Sequence, residues 1–316
     1  MSKAATTTID RRHFLGASAG AAAALAALGK GQAADLGPMA VSGDVPPPPV
    51  VKLGKTGIEL TRLAQGTGVH GGNRQSDQTR EGFEELTALF EHAYDRGIKF
   101  FDLADLYGSH IYFREALRKI PRDEVKILTK IWWRYDGPED GEATRSPARA
   151  DACRATIERF CHEINTDHID IVLLHCCMSA TWDHDLEVYR DALSAAKEKK
   201  QVGAVGVSCH TIEALKTAAA CPWVDVMLSR INPKGASMDA STDEVVAVLK
   251  EARANGKAII GMKIFGEGKL SGERENCMKF AQENGLLDAM TIGFHTPAQI
   301  DDALRLMHRY PAKPLV

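Results

Sequence analysis

In the stretch Phe101-Asp102-Leu103-Ala104-Asp105-Leu106-Tyr107-Gly108, an apolar run ends and a polar turn begins. Aromatic and aliphatic residues from Lys99 to Leu103 predict a short buried strand. Asp102 and Tyr107 then lie at the carboxyl end of that strand. In sheets built from βα units this is the end that carries the chemistry, so the neighbouring strands decide both the fold and the site.

From Val51 onward, short β-prone runs alternate with longer segments of helical periodicity, a pattern typical of βα units around a parallel sheet. The predicted strands are Leu63–Gly68, Lys99–Leu103, Lys126–Ile131, Ile169–Leu174, Val202–Val207, Val224–Ile231, Ala258–Ile264 and Ala289–Gly293. The predicted helices include Glu81–Arg96, Pro147–Ile164, Leu186–Lys199, Thr211–Ala220, Thr242–Asn255 and Pro297–Arg309. Eight units predict an α/β fold, a (β/α)₈ TIM barrel, because an open doubly wound sheet normally has fewer strands. Residues 51–60 predict a hairpin that turns at Lys55-Thr56-Gly57 and closes the bottom of the barrel.

The N-terminus differs in composition from the rest of the chain. Asp10-Arg11-Arg12-His13-Phe14-Leu15 precedes an uncharged run that ends at Gly29, and the pattern resembles a twin-arginine (Tat) export signal. The run is shorter than the roughly 20 residues that a spanning helix needs. Small residues near Ala34 suit cleavage by a signal peptidase.

We therefore assign residues 1–34 to a signal peptide, 35–50 to an extended, Pro-rich linker and 51–316 to the barrel. This assignment predicts recognition by the twin-arginine export machinery, a periplasmic location and no stable membrane span after cleavage. The alternative is a cytoplasmic protein with an Ala-rich N-terminal arm.

Charge and cysteine spacing exclude several classes of partner. A formal net charge of −3 without long runs of like charge gives no electrostatic footprint for nucleic acid, so a small molecule is the expected partner. The 7 cysteines include no CxxC pair of the kind that holds zinc or an iron–sulfur cluster.

Three strand ends together resemble the aldo-keto reductase family. The segment Phe101–Gly108 resembles the family's Phe-Asp-Thr-Ala-x-x-Tyr-Gly motif, Lys130 closes the next strand and His175 the one after it. The resemblance extends from about residue 51 to 306. It implies an NAD(P)H-dependent oxidoreductase that interconverts a carbonyl and an alcohol, with Tyr107 as general acid/base.

This set of residues suits carbonyl reduction on physical grounds. Hydride transfer leaves negative charge on the carbonyl oxygen, which a proton donor must neutralise. We expect Lys130 to lower the pKa of Tyr107, Asp102 to pair with Lys130, and His175 to orient the substrate oxygen. Taken singly, the same residues are also explained as a loop tyrosine, a structural ion pair and a core histidine.

The resemblance also implies where the cofactor lies. The expected cofactor-binding residues are Ser208, Cys209, Arg230, Asn232, Lys263, Phe265, Gly266, Gly268, Phe294, His295, Gln299 and Asp302. Cys209 and Leu228 stand where the family has amides that hold the nicotinamide, and Arg230 is a candidate substitute donor. NADP(H) is favoured over NAD(H) by the resemblance, although Gln299 stands where a basic residue would bind the 2′-phosphate.

Other residues at the same strand ends predict a substrate pocket and suggest alternative functions. His70, Trp132 and Trp133 are the expected lining of the substrate pocket. Soft and imidazole ligands at His175, Cys176, Cys177, Cys209, His210 and His295 raise a metal-dependent isomerase or lyase as an alternative. Adjacent cysteines on one strand face opposite sides, so we expect no metal. The departures at Cys209, Leu228 and Gln299 favour another alternative, a catalytically weak nucleotide-binding sensor or interaction barrel.

Overall fold

The computed structural model describes residues 45–136 and 147–316. The predicted signal peptide and residues 35–44 of the predicted linker lie outside these ranges. Val45 to Pro49, in the predicted linker, form no helix or strand, and His308 bonds through Nε2 to the carbonyl of Pro46 at 2.9 Å. Within the described ranges, no helix is both long and apolar enough to cross a membrane.

Eight parallel strands close into a barrel, as the alternating pattern predicts. A short antiparallel hairpin, β1 (Val50–Lys52) and β2 (Glu59–Thr61), precedes them and confirms the predicted hairpin. The barrel strands are β3 (Leu63–Gly66), β4 (Phe100–Asp102), β5 (Lys126–Ile131), β6 (Ile169–Cys177), β7 (Val202–Cys209), β8 (Val226–Arg230), β9 (Ala258–Met262) and β10 (Ala289–Ile292). Each pairs with the next along the chain, and β10 pairs with β3. All eight predicted strands are therefore present, most of them shorter by one or a few residues.

The helices follow the strands in alternation. Their bounds are α1 (Asp77–Glu81), α2 (Phe83–Asp95), α3 (His110–Ala116), α4 (Pro147–Ile164), α5 (Trp182–Asp185), α6 (Glu187–Glu198), α7 (Ile212–Ala220), α8 (Thr242–Ala254), α9 (Arg274–Glu283) and α10 (Pro297–Arg309). The predicted helix at residues 81–96 is instead two helices, because Gly82 has a φ of 131° that no α-helix accommodates. Ser76 and Thr79 form a capping box that starts the first of them.

The barrel wall separates two apolar clusters. The inner cluster includes Phe100, Leu128 and Leu173, and the outer cluster packs the other face of the strands against the helices. Side chains two residues apart on a strand point the same way. Two positions after these three inner residues come Asp102, Lys130 and His175. Strand alternation therefore points all three side chains into the barrel, near the carboxyl ends of its strands.

Candidate active site

Asp102 and Lys130 form the predicted ion pair. The Lys130 side chain is 1% exposed; its ammonium contacts the Asp102 carboxylate and donates to the carbonyl of Leu103 at 2.9 Å. Burial lowers the pKa of Lys130, because desolvation disfavours the ammonium, and the charge of Asp102 opposes that shift. A buried ammonium that has a carboxylate and a carbonyl as partners is held in one place.

Tyr107 meets His175 above this ion pair. A single 3₁₀ turn, Asp105–Tyr107, follows β4 and places the Tyr107 phenol at the carboxyl end of the barrel strands. The Tyr107 hydroxyl lies 3.2 Å from Nε2 of His175, and their rings meet edge to face. The Lys130 ammonium lies 5.0 Å from the centroid of the Tyr107 ring. The four side chains that the sequence singles out therefore form one contiguous group.

The net shift of the Tyr107 pKa is opposite in direction to the lowering that the sequence predicts. Burial raises the pKa of Tyr107 well above its usual value, and the negative charge of Asp102 raises it further. The Lys130 ammonium is paired with Asp102, so any lowering that it causes is outweighed by burial and by the carboxylate. The phenol is therefore protonated at neutral pH, the state that a proton donor needs.

His175 is held in its neutral form. Burial lowers its pKa well below the usual value, and the positive charge of Lys130 adds to that shift. Its backbone carbonyl accepts a hydrogen bond from Nε1 of Trp133 at 2.9 Å. Its Nδ1 is buried and has no hydrogen-bond partner among the described residues. A neutral imidazole in this position can exchange one hydrogen bond with a substrate oxygen.

The three residues expected to line the substrate pocket occupy different environments. Trp132 is half-buried, and its ring lies 5.7 Å from that of His175, beside the site. Trp133 is buried and anchors the His175 backbone. The His70 side chain is 63% exposed, and its Nδ1 contacts Asp77 at 2.7 Å. Trp132 is thus the one of the three whose ring flanks His175.

A second polar group extends from these four residues toward β8. Nε2 of His210 lies 3.4 Å from both Sγ of Cys176 and Oγ of Ser208. Its Nδ1 faces the guanidinium of Arg230, which also pairs with Asp239 at 3.1 Å. Burial and the charge of Arg230 lower the pKa of His210 to about 3. The imidazole is therefore neutral and accepts from Arg230 at Nδ1, which leaves the proton on Nε2.

Three of the six candidate metal ligands come together. Donor atoms of His175, Cys176 and His210 lie within 4.8 Å of one another. A metal-bound histidine normally donates its other N–H to an oxygen acceptor, whereas that nitrogen of His210 faces a guanidinium, which can only donate. Burial also raises the pKa of Cys176 to about 11, so the thiolate that a metal needs is disfavoured. The surroundings of these donors oppose a cation.

The expected nicotinamide holders are only partly directed toward the interior. Ser208 is fully buried at the end of β7, with its hydroxyl near His210. Cys209 belongs to the outer cluster, where its thiol lies 3.5 Å from the carbonyl of Ala214 in α7. The expectation that Cys209 contacts the cofactor therefore conflicts with its direction, because it occupies the alternate face of the strand.

The side chain of Asn232 bonds to backbone groups of its own loop and of the residue after β9. Its amide nitrogen donates to the carbonyls of Ala236 and Lys263, and its amide oxygen accepts from the backbone N–H groups of Lys234 and Ala236. Both hydrogens and both lone pairs are then used. Asn232 thus ties the loop after β8 to the end of β9.

Most other expected cofactor residues already have protein partners. Lys263 pairs with Glu267, and His295 with Glu81. Gln299 accepts through its amide oxygen from the backbone N–H of His295 at 2.8 Å, and Asp302 pairs with both Arg274 and Arg305. The remaining expected cofactor residues are two phenylalanines and two glycines. Phe265 is half-buried and Phe294 buried, while Gly266 and Gly268 have φ values of 57° and 85° in the turn that follows β9.

Residues in the loop after β3 contribute to the site in a way that the motif comparison did not identify. A methyl group on Gly68 would lie 2.4 Å from Cζ of Tyr107, and one on Gly71 would lie 2.3 Å from its Cδ1. The bare backbone at both positions therefore packs directly on the Tyr107 ring. The available signal was the glycine density of Gly66-Thr67-Gly68-Val69-His70-Gly71-Gly72.

Comparison with known proteins agrees with this geometry. The aldo/keto reductase family model matches residues 63–307. A Glycine max protein named "Probable aldo-keto reductase 1" is 30% identical over 129 residues, which are 40% of this chain and 35% of that protein. An uncharacterized oxidoreductase of Bacillus subtilis is 28% identical over 159 residues, 46% of this chain and 45% of that protein.

A solved structure named as a "putative aldo-keto reductase" from Pseudomonas aeruginosa superposes with a TM-score of 0.64 at 21% identity. The superposition covers 83% of this chain and 94% of that one, and at this identity it shows the shared fold. The family match shows more: the chain belongs to the aldo/keto reductase family, whose members use nicotinamide cofactors. The chain spans less than half the length of the curated relatives described above.

Proposed function

We propose that the protein is an NADPH-dependent reductase of a small aldehyde or ketone or, in the reverse direction with NADP⁺ as hydride acceptor, a dehydrogenase of the corresponding alcohol. The observation that carries this proposal is the contact between the Tyr107 hydroxyl and Nε2 of His175, directly above the buried Lys130–Asp102 pair. Two neutral hydrogen-bonding groups converge at one point, which is what a substrate carbonyl oxygen requires.

The protein residues would act on the substrate oxygen. A carbonyl oxygen placed between Tyr107 and His175 would accept hydrogen bonds from the phenol and from Nε2 of the imidazole. As negative charge develops on that oxygen, Tyr107 donates its proton, because an alkoxide is far more basic than even a phenolate of raised pKa. The nearby Lys130 ammonium then stabilises the phenolate that remains. In the reverse direction the same phenolate removes the proton of the alcohol.

The residues at the nicotinamide end fit such a cofactor. When bound, a nicotinamide cofactor supplies the hydride. Among the described residues, the buried Ser208 hydroxyl has one long contact, 3.4 Å from Nε2 of His210, so it can still bond strongly to a carboxamide. Arg230, at the end of β8, is the proposed substitute for the family's missing amide donors.

The phosphate end gives weaker support for NADP(H) over NAD(H). The first turn of α10 offers few backbone donors to a phosphate, because Pro297 has no N–H and the N–H of Gln299 already bonds to the hydroxyl of the N-cap Thr296; the N–H of Ala298 is left. Arg274 brings a guanidinium from α9, but it pairs with Asp302. We propose NADPH because of the family membership rather than because of these contacts.

Export is part of the same proposal. The Arg11-Arg12 pair and the apolar run after it support recognition by the twin-arginine machinery and a periplasmic location. That route is generally understood to carry folded proteins, so a cofactor bound in the cytoplasm could travel with the enzyme. Fractionation of cells that express the full chain and an Arg11→Lys, Arg12→Lys variant tests this. Equal periplasmic amounts of both would contradict it.

The catalytic proposal is tested by a fluorescence titration with NADPH, followed by single-turnover oxidation with a panel of aldehydes and quinones. We expect saturable binding and oxidation of the bound NADPH by at least one member of the panel. Binding without oxidation by any member would favour a nucleotide-binding barrel without turnover. Absence of nucleotide binding would remove the proposal.

A further inference from the structure

A buried carboxylate lies two residues before Tyr107, on the same 3₁₀ turn. The Asp105 side chain is 3% exposed, and Arg159 of α4 grips it through both terminal nitrogens at 2.8 and 3.1 Å. Arg74, from the loop after β3, contacts the same carboxylate at 3.2 Å. Two arginines from different parts of the chain thus meet at the turn that carries the phenol.

Arg74 belongs to the loop that covers the Tyr107 ring. Gly68 and Gly71 of this loop pack their backbones on the ring, and Asn73 and Arg74 both have left-handed φ values, 51° and 58°. Such a conformation is unfavourable for residues with a side chain, so surrounding contacts must hold it. The ion pair between Arg74 and Asp105 is one such contact.

On the other side, the network reaches the strand that carries Lys130. Arg159 also contacts Glu163 at 2.7 Å, and Glu163 contacts Nδ1 of His110 at 2.7 Å. Nε2 of His110 then lies 2.7 Å from the hydroxyl of Thr129, the residue before Lys130 on β5. The chain of contacts therefore runs behind the catalytic group, from the covering loop to the strand of the catalytic lysine.

We propose that Asp105 is a positioning residue, and that Arg159 and Arg74 hold it so that the Tyr107 phenol stays fixed between the covering loop and Lys130. The catalytic consequence rests on the proposed reductase function, whereas the positioning itself does not. Asp105 touches neither Tyr107's hydroxyl nor the expected substrate, and it acts through the turn that the two residues share.

The physical basis is the cost of an unpaired buried charge. Without Arg159, Arg74 is the partner that the Asp105 carboxylate keeps among the described residues, and the carboxylate must move toward water. That movement displaces a three-residue turn whose last member is Tyr107. A misplacement of about 1 Å in a reacting group lowers turnover by roughly 100-fold.

The variants are chosen to separate positioning from general damage to α4. Arg159→Gln removes the grip on Asp105, and Arg159→Lys keeps the charge without the two-point contact. Arg154→Gln is the matched control, because Arg154 lies on the same helix in an exposed pair with Asp151. Arg74→Gln removes the second partner from a half-exposed surface site, where the barrel itself is not at risk.

The first readout does not depend on activity. Tyrosine labelled with ¹³C at Cζ gives signals from 6 tyrosines, and Tyr107→Phe assigns the one of interest. We expect the Tyr107 signal to shift or broaden in Arg159→Gln and, less strongly, in Arg74→Gln, and to stay unchanged in Arg154→Gln. An unchanged Tyr107 signal in folded Arg159→Gln and Arg74→Gln would overturn the proposal, whether or not the wild-type protein reduces any substrate.

The second readout uses turnover. We expect Arg159→Gln to lower kcat at least tenfold, with NADPH affinity unchanged, and Arg159→Lys to recover part of the loss. In a Tyr107→Phe background the same change should have almost no further effect on kcat. A full additional loss in that background would assign Arg159 to a role outside Tyr107 and overturn the proposal. Movement of the Tyr107 signal in a protein without turnover would instead refute the reductase function alone.

Discussion

The two ends of the expected cofactor and substrate path differ in how their polar groups are used. At the predicted catalytic end, Tyr107 and His175 bond to each other, and Nδ1 of His175 has no hydrogen-bond partner among the described residues. Along the rest of the path, Asn232 after β8 and Gln299 and Asp302 at the phosphate end bond to their own loops and neighbouring arginines.

The contrast shows which residues named by the family resemblance still have polar atoms available. An unpartnered buried polar atom costs free energy and calls for an explanation, and a bound ligand is one such explanation. Polar residues with all partners in place are explained by the stability of the loop. The end that holds Tyr107 and His175 thus keeps polar atoms that can bond to a ligand, whereas most polar side chains at the phosphate end already bond to protein groups. The following variants can break or sharpen this distinction.

The largest effect is expected for Tyr107→Phe. The change removes the proton donor but keeps the ring that packs on Gly68 and Gly71, so we expect kcat to fall about 1000-fold. NADPH affinity should stay within twofold. Tyr112→Phe is the control, since its hydroxyl bonds to the carbonyl of Thr79, away from the site. Stopped-flow oxidation of NADPH measures both; retention of more than a tenth of wild-type kcat would assign the proton transfer to another group.

A smaller effect is expected for Gly68→Ala. The added methyl would lie 2.4 Å from Cζ of Tyr107, so the ring must move, and we expect kcat to fall roughly 10-fold to 100-fold. Gly72→Ala is the matched control in the same loop, because a methyl there meets no atom within 4 Å among the described residues. Equal kcat values for the two variants would show that the position of the ring does not limit turnover.

The smallest effects on turnover are expected for two residues at and just after the end of β8, Arg230 and Asn232. Asn232→Ala leaves several loop groups without partners and should lower the free energy of unfolding by about 2 kcal/mol, with NADPH affinity unchanged. Arg230→Ala should instead weaken NADPH binding about fivefold, on the order of 1 kcal/mol, if Arg230 replaces the missing amide donors. Urea unfolding and fluorescence titration separate the two. Weakened binding in Asn232→Ala at unchanged stability, or unchanged binding in Arg230→Ala, would reverse these assignments.

The grouping of the predicted catalytic residues could be predicted because they lie at fixed positions relative to regular strands. Asp102, Lys130 and His175 each stand at a strand end, and strand order and alternation alone direct them to one place. The cofactor residues were less predictable because they lie in loops, where a side chain can bond locally or face a ligand. Gln299 and Asn232 both bond to nearby backbone groups of their own loops.

The sign of the Tyr107 pKa shift needed the tertiary structure. The sequence supplies a lysine near the phenol, but the competing carboxylate of Asp102 and the depth of burial decide which charge dominates. The same holds for Cys176. It has a left-handed φ of 56° at an irregularity of β6, and this places its thiol beside His210 rather than in the outer cluster with Cys177.

The sequence by itself determined the eight-stranded barrel, its hairpin and the four residues at the catalytic end, because hydrophobic periodicity and strand alternation are local properties of the chain. The tertiary structure alone decided which polar groups remain available. It also decided that Arg74 and Arg159, 85 residues apart in sequence, meet at Asp105. Pairing across such separations depends on how loops and helices pack around the finished barrel, and no periodic pattern in the sequence records it.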